Sequence, residues 1–393
     1  MQNPGMDAGD FDAFLDQLKR YIRERLIPAE EEVLATDRIP EPILNEMRDM
    51  GLFGITIPVE YGGAGMNISQ YIETVKQLSY AAPAYRSTMS INVGMTGSAI
   101  KNFGTDEQKS AWLPRIAAGE IACFGLTEPG SGSDSAAMAT SANPSGNGYV
   151  LSGTKRYITN APHAKIGLIM ARTSKEALPK NAHVSAFIID MTTPGITIGS
   201  PDKKMGQTGA HIADVIMDDV HIPGDALVGG VEGRGFSIAM QSLDNGRLSV
   251  AGMSVGMGRR ILDTAARYAS ERKAFGEPIA NFQLIQAMLA DSDAELYAAE
   301  CMIADAAARA DRGENIVRKA AAAKYFASET CGRVADRCVQ IHGGAGYLAE
   351  YAAERFFRDA RILRIYEGTS QIMQLQIAKH MLRDFARDGH VWS

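Results

Sequence analysis

A stretch of strand-like texture set between two longer helical stretches limits how this chain can fold more than any other feature. From residue 121 to about residue 227, short β-rich runs recur at 121–126, 149–158, 166–171, 184–190, 196–198 and 213–217. Several alternate apolar and polar residues, and Asn143-Pro-Ser-Gly-Asn-Gly148 has the composition of a hairpin connection. No helix-length pattern interrupts them, which predicts an antiparallel sheet rather than a βαβ layout.

On either side the period changes to that of a helix. Phe11, Phe14, Leu15, Leu18 and Ile22 form an apolar stripe that stops at Pro28. A second helix is expected from Pro42 to Gly51, helices again over 68–103, and Thr105 with Gln108 is a capping-box pattern opening another. The glycine-rich run Pro58-Val-Glu-Tyr-Gly-Gly-Ala-Gly65 has no strand-to-helix frame and reads as a turn near a site. Beyond Gly233, long helices are expected at 236–270, 282–312, 316–342, 350–365 and 370–385, joined by short connections as in an antiparallel bundle. The 393 residues exceed what one core usually holds. The expectation is therefore an α+β chain: an N-terminal α-helical domain (1–120), a middle antiparallel β-domain (121–230) and a C-terminal four-helix bundle (231–393).

Composition removes several function classes. A net charge of −6 argues against a nucleic-acid partner, which would need a broad basic face. The seven histidines and four cysteines show no ligand spacing, so no metal is expected, and Cys331 and Cys338 read as buried thiols on one helical face. No apolar run approaches the roughly 18 residues of a membrane span. The first ten residues hold two Asp and no Arg or Lys, unlike a targeting peptide. A cytoplasmic bacterial protein is the expectation.

Chemistry concentrates in five places. Residues 364–373 read Arg-Ile-Tyr-Glu-Gly-Thr-Ser-Gln-Ile-Met: Glu367 precedes a permissive glycine and the helix caps Thr369 and Ser370, while Ile372, Leu375, Ala378 and Leu382 recur at helical spacing. A carboxylate pinned on such a connection in apolar surroundings has a raised pKa and can act as a base near neutrality; a plain helix-end Glu is the alternative. The Gly/Ser loop Cys123-Phe-Gly-Leu-Thr-Glu-Pro-Gly-Ser-Gly-Ser-Asp134 could wrap a polar heterocycle or a phosphate, or be a surface turn. Tyr157 and Thr159 share one strand face, which suits a planar ring with polar edges as well as a packed core. Arg272 is a donor fork suited to pyrophosphate and Phe275 could cover a ring; a charged helix end is the plainer reading. The three glycines of Gln340-Ile-His-Gly-Gly-Ala-Gly-Tyr347 exceed what a helix cap needs. No Gly-x-Gly-x-x-Gly stands between a strand and a helix, so any flavin is held outside a Rossmann fold.

These segments, in this order, resemble the acyl-CoA dehydrogenase family, short- and medium-chain type, over nearly the whole chain. The resemblance rests on Leu126-Thr-Glu-Pro-Gly-Ser-Gly-Ser-Asp134, Gly153-Thr-Lys-x-Tyr-Ile-Thr-Asn160, Arg272-x-x-Phe275-Gly-x-Pro278-Ile, Gln340-x-x-Gly343-Gly-x-Gly346-Tyr and Ile365-Tyr-Glu-Gly-Thr-Ser-Gln371. It implies FAD as cofactor, with Phe124, Leu126, Thr127, Ser133, Tyr157 and Thr159 meeting its ring side. It implies that Arg272, Phe275, Gln283, Gln340, Gly343 and Gly344 of a neighbouring subunit hold pyrophosphate and adenine, with Thr369 and Gln371 nearby. A homotetramer, a dimer of dimers, follows from such shared binding. Ser133, Asp244, Arg247, Tyr366 and Gly368 fall where the family contacts the acyl-CoA substrate. The implied reaction takes the thioester to a trans-2-enoyl-CoA: Glu367 removes the α-proton, hydride leaves the β-carbon for flavin N5, and electrons pass to an electron-transferring flavoprotein. Fatty acid β-oxidation is the general setting so implied.

Three departures from the family pattern stand out. Some relatives carry the base immediately before the residue matching Arg247; here that slot is Gly246, which leaves Glu367 as the base. Tyr157 replaces a common Trp, and Met205-Gly-Gln-Thr-Gly-Ala-His211 lacks the usual Arg and Ser. A non-oxidative member of the fold (a desulfinase type), an acyl-CoA oxidase and a flavin-binding protein without turnover are the competing readings. Acyl chain length is not legible, although Met89, Met95 and Thr96 are candidates to line the pocket.

Overall fold

Side-chain caps at Asp7, Asn67 and Thr105 start three of the N-terminal helices, and a glycine follows the end of others. The computed structural model describes residues 3–174 and 180–391. Its first lobe holds α1 (Ala8–Tyr21), α2 (Glu30–Thr36), α3 (Glu41–Asp49), α4 (Ile68–Leu78), α5 (Pro83–Ser90), α6 (Gly97–Phe103) and α7 (Asp106–Ala117). α4 and α7 open on full capping boxes, Asn67 with Gln70 and Thr105 with Gln108. α3 ends where Gly51 takes φ +68°. Helices fill the stretch 68–103 as expected, in three pieces interrupted before Pro83 and by a π-helical turn at Ile91–Thr96. α2 has no counterpart in the sequence reading; it buries one apolar residue, Val33, too little for a periodic signal.

β1 (Ala122–Gly125), β2 (Ser141–Ser145), β3 (Gly148–Thr159), β4 (Ile166–Arg172), β5 (Val184–Asp190), β6 (Ile196–Ile198) and β7 (Ile212–Pro223) form one seven-stranded sheet. Pairings β2–β3, β3–β7, β4–β5 and β6–β7 are antiparallel, as expected. β1 departs from that pattern: it lies parallel to β4, with Ala122 opposite Ile166, because the β2–β3 hairpin intervenes and returns the chain in the same direction. β2 also meets β4 in parallel at Ser141 and Arg172. The segment 143–148 is mostly strand, with only Gly146 and Asn147 left to turn.

In the third lobe α8 (Gly235–Glu271) and α9 (Gln283–Asp311) flank the two-residue strands β8 (Lys273–Ala274) and β9 (Glu277–Pro278). α10 (Val317–His342), α11 (Ala352–Ala360) and α12 (Ser370–Asp388) follow. α10 packs on α8, α9 and α12, which makes the four-helix core. One apolar cluster runs from α1 and α4 into α8 and α10, and a second joins Met95 and Ile100 to Phe124, Leu126 and Leu243. The sheet's other face buries Cys123, Leu151, Phe187 and Val220. The base of α8 is thus wedged between sheet and N-terminal lobe.

α12 corrects one expectation. Met373 seats it, whereas Leu375 (67 % exposed), Leu382 (61 %) and Phe385 (52 %) line an uncovered face with Ala378. Cys123, Cys331 and Cys338 are buried and Cys301 is exposed. Among the described residues no helix is long and apolar enough to cross a membrane, and no His, Cys, Asp and Glu grouping could hold a metal ion.

Candidate active site

The connection between α11 and α12 carries the base. α11 tightens into a 3₁₀ turn at Arg361–Arg364, and Thr369 caps α12 by accepting the Ile372 N–H at 3.2 Å. What remains, residues 365–368, must turn sharply, and it does so with Glu367 at φ +53° and Gly368 at φ +101°. A non-glycine residue held there costs about 1–3 kcal/mol and persists only where surrounding contacts impose it. Here Lys324 Nζ donates to the Gly368 carbonyl at 2.6 Å, and Arg247 Nε approaches the Glu367 carbonyl at 3.5 Å.

Glu367 Oε2 is buried and has no hydrogen-bond partner among the described residues. It rests on α8 at Gly246, where a Cβ would stand 2.1 Å from it. Burial raises the Glu367 pKa, and the charges of Arg86, Lys324 and Arg247 act against that rise. Lys324 is itself fully buried, which pushes its ammonium down to about 8. Arg247 is paired with Asp244 at 2.6 Å, and burial holds Asp244 above its ordinary value. Tyr366 donates its hydroxyl toward Met253 Sδ at 3.3 Å, and burial pushes that phenol up to about 12.

The second half of the site lies at the end of β1. Phe124 and Leu126 are buried in the cluster that includes Leu243, one turn before Gly246 on α8. The loop that follows is anchored by Glu128, which accepts the Ala139 and Thr140 N–H groups at 2.6 and 3.0 Å and pairs with Lys155 Nζ at 2.7 Å. Burial pushes Lys155 down to about 8. Burial would raise Glu128, but the Lys155 charge and the hydrogen bonds hold it below its ordinary value. The Thr127 carbonyl accepts the Arg156 N–H at 2.8 Å, which lays the loop along β3. At this point β3 is bulged: its register shifts between Lys155 and Ile158, and Tyr157 adopts φ +60°. Tyr157 is left 58 % exposed beneath the Arg156 guanidinium, 4.6 Å from the ring centroid, while Thr159 is half-buried. Ser133 lies exposed on the same loop.

The remaining expected residues sit apart. Arg272, Phe275 and Gln283 are exposed at the α8–α9 turn, and Gln340, Gly343 and Gly344 at the end of α10. Phe275 is 97 % exposed, and a Cβ at Gly343 or Gly344 would meet nothing within 4 Å. Gly346 is different: its Cβ would fall 2.6 Å from the Val339 carbonyl, so packing explains it. Gln371 is exposed at the first turn of α12. The pocket candidates are buried, Met89 and Met95 in apolar clusters and Thr96 with its hydroxyl on the Cys123 carbonyl at 3.1 Å.

Sequence reasoning missed Arg86, Lys324, Tyr71, Ser249 and Gln207. Tyr71 and Arg86 both donate to Ser249 Oγ, at 2.9 and 2.6 Å. Gln207 links the unusual 205–211 loop to Asp359 of α11, through its N–H to the carboxylate and its side-chain amide to the carbonyl at 3.3 Å. One signal was available: Arg86 is the only charged residue between Lys76 and Lys101.

Family profiles described as acyl-CoA dehydrogenase N-terminal, middle and C-terminal domains match residues 9–120, 123–220 and 233–382. The human short-chain specific acyl-CoA dehydrogenase, mitochondrial, is 38% identical over 94% of this chain and 90% of its own length. The caffeyl-CoA reductase-Etf complex subunit CarC of Acetobacterium woodii is 39% identical over 93% of this chain and 97% of that one. Among solved structures, butyryl-CoA dehydrogenase from Megasphaera elsdenii superposes with a TM-score of 0.92 at 33% identity, covering 98% of this chain and 100% of that chain. With all three domains matched in order and the fold shared end to end, this chain belongs to the acyl-CoA dehydrogenase family, flavin-dependent oxidoreductases that bind FAD.

Proposed function

We propose that this enzyme dehydrogenates an acyl-CoA thioester to its trans-2-enoyl-CoA, with Glu367 as the base. The observation that carries the reading is the Glu367 carboxylate, whose Oε2 is buried and without a partner among the described residues, on a strained backbone. A carboxylate without partners is costly unless a task requires it. Non-oxidative and binding-only readings give it none.

The α-proton of a thioester is weakly acidic, so removal needs a desolvated base and a polarised carbonyl. Glu367 Oε2 accepts that proton, and entry of the acyl chain excludes water and raises its affinity for it further. The Glu367 backbone N–H serves as the protein's donor to the thioester oxygen, an arrangement whose strength comes from being fixed beforehand in a dry site. Arg247 and Lys324 keep the 365–368 turn in register. Ser133, Asp244, Tyr366 and Gly368 complete the substrate contacts.

The residues present fit FAD. Tyr157 offers a largely exposed ring, with Arg156 over one face, on a bulge beside the Thr127 loop, and Thr159 adds a hydroxyl. Gly343, Gly344 and Phe275 present open backbone and an uncovered ring at the bundle's end. Phe124, Leu126, Thr127, Ser133, Tyr157 and Thr159 would hold its ring side, with Thr369 and Gln371 nearby. Arg272, Phe275, Gln283, Gln340, Gly343 and Gly344 of a neighbouring copy would hold its pyrophosphate and adenine. FAD, when bound, supplies the two-electron acceptor for the β-hydrogen.

Electrons leave for an electron-transferring flavoprotein, a reading supported by the relative named as part of an Etf complex. The uncovered α12 stripe of Leu375, Ala378, Leu382 and Phe385 supports a homotetramer. On the same reading the domains divide at 1–120, 121–230 and 231–393, and the enzyme is cytoplasmic. The test is anaerobic titration of the FAD-loaded enzyme with a panel of acyl-CoAs, in wild type and Glu367→Gln. Wild type should bleach the flavin with a subset, and the variant should do so about 100- to 10,000-fold more slowly. Equal rates would remove Glu367 from the mechanism.

A further inference from the structure

Charged side chains are almost never fully buried without a partner of opposite sign, and a buried guanidinium is stabilised chiefly by planar oxyanions. Arg86 on α5 is 2 % exposed. Among the described residues no carboxylate lies within ion-pair distance of it, and its Nε has no hydrogen-bond partner. Among the described residues its hydrogen bond goes to a neutral hydroxyl, Ser249 Oγ, at 2.6 Å, to which Tyr71 also donates.

Ser249 stands three residues beyond Gly246 on α8, hence on the same helical face and one turn along. Gly246 is where the Glu367 carboxylate rests. The Arg86 guanidinium is therefore about one helical turn, roughly 5 Å, from the base. Its field reaches Glu367, Tyr366 and Tyr71, and it is the strongest of the cationic influences on Glu367.

Four cations, Arg86, Lys324, Arg247 and Arg364, face three carboxylates, Glu367, Asp244 and Glu329, of which Asp244 is engaged by Arg247 and Glu329 by Arg364. The imbalance deepens during turnover, because Glu367 becomes neutral on taking the α-proton. The phosphates of a CoA thioester cannot redress it: the whole pantetheine arm separates them from the α-carbon. An anion that reaches Arg86 must belong to the acyl group. Three zigzagged carbon–carbon bonds of about 1.5 Å each advance about 3.8 Å, and the carboxylate's own oxygens carry the reach to about one helical turn.

We propose that Arg86 is a specificity-determining residue that receives a carboxylate carried by the acyl group, so that the substrate class is a short dicarboxylic acid monothioester with its free carboxylate about three bonds beyond the α-carbon. The proposal rests on Glu367 being the base of an acyl-CoA dehydrogenase. It adds the receptor at the other end of the acyl chain: a fork with a free N–H, desolvated in advance, with Ser249 and Tyr71 fixing its plane. A carboxylate bound there restores charge balance when Glu367 is protonated, and an uncharged acyl chain of equal length leaves the guanidinium buried and alone.

The experiment compares glutaryl-CoA, its ω-methyl ester (same length, no charge) and butyryl-CoA as anaerobic reductants of the FAD-loaded enzyme, in wild type, Arg86→Lys and Arg86→Gln. In wild type kcat/KM for glutaryl-CoA should exceed that for the methyl ester by about 100-fold or more, as for loss of one partner of a buried charge pair. Arg86→Gln should collapse that ratio to within a few-fold, chiefly through glutaryl-CoA, and Arg86→Lys should retain part of it. Equal wild-type rates with acid and ester overturn the proposal. An equal fall for all three thioesters in Arg86→Gln overturns it too, and marks Arg86 as a counterion that positions Glu367. Should the Arg86 variants not fold, binding of acid and ester to Glu367→Gln, read by calorimetry, decides: tighter binding of the acid supports the receptor, equal binding refutes it. Reduction by butyryl-CoA alone sinks only the carboxylate assignment. Failure of every acyl-CoA in a broad panel to reduce the flavin sinks the dehydrogenase reading itself.

Discussion

Gly246→Ala separates stability from catalysis in one methyl group. The added Cβ would stand 2.1 Å from Glu367 Oε2 and 3.0 Å from its carboxyl carbon. Something must then move by an ångström or more. α8 cannot, because the residues around Gly246, from Leu243 to Val250, are almost all buried between sheet, N-terminal lobe and bundle. The Glu367 backbone is tied by Lys324 to the next carbonyl at 2.6 Å and already sits at φ +53°. The displacement therefore falls on the carboxylate, the atom group that must meet the α-proton. A misplacement of that size in a positioned base costs on the order of 100-fold in rate. In a helix interior the same change is favourable by about 1 kcal/mol, since alanine is the better helix former. The expected outcome is flavin reduction slowed about 100-fold at saturating substrate, with FAD still bound and a melting temperature equal to or above wild type. Reduction at the wild-type rate would refute the placement of the Glu367 carboxylate against α8. A large loss of stability would refute the argument that the side chain, not the helix, yields.

The other predictions concern the charges around the base. Between pH 5 and 10, kcat/KM should rise through a Glu367 pKa above the usual carboxylate value, because only the ionised form accepts a proton, and fall through about 8 as Lys324 loses its own. Lys324→Met should move the acid limb to higher pH, since the Lys324 charge opposes the rise in Glu367, and should lower kcat by freeing the Gly368 carbonyl. Lys155→Met should destabilise the fold by about 3–5 kcal/mol by leaving Glu128 buried without its cation, whereas Lys155→Met with Glu128→Leu should recover much of that in chemical denaturation. No recovery in the double variant would show that Glu128 matters through its bonds to Ala139 and Thr140 rather than through the pair.

Which parts were legible follows from the range of the interactions that define them. The helical ends depend on caps and on breaks a few residues long, so α8, α9 and α10 begin and end within a residue or two of where the pattern puts them. Glu367 was legible because turn, glycine, cap and following helix are contiguous. The parallel placement of β1 beside β4 was not, because strand order depends on which edges meet, and nothing in either strand records that. α12 fails in a different way: its apolar stripe is present as read, yet the residues that should seat it face outward, since a single chain supplies no surface for them. Periodicity reports that a face wants covering, not what covers it.

The charged residues around the base show the same limit most sharply. Arg86 and Ser249 are 163 positions apart, and Lys324 and the Gly368 carbonyl 44. In isolation each is an ordinary residue of an ordinary helix, and only packing turns it into a desolvated cation. The 205–211 loop belongs with them. Gln207 reaches α11, the Gly209 N–H donates to Asp37 Oδ1 at 2.6 Å, and His211 Nδ1 lies 2.7 Å from His163 Nε2. One loop thereby ties the N-terminal lobe, the sheet and the helix that leads into the catalytic turn. A sequence departure in that loop can reach Glu367 without touching substrate. Its effect would fall on the geometry of all substrates alike, whereas a change at Arg86 should discriminate among them by charge. That contrast gives the two kinds of residue different kinetic signatures, a uniform loss in kcat against a shift in the ratio of kcat/KM between acid and ester.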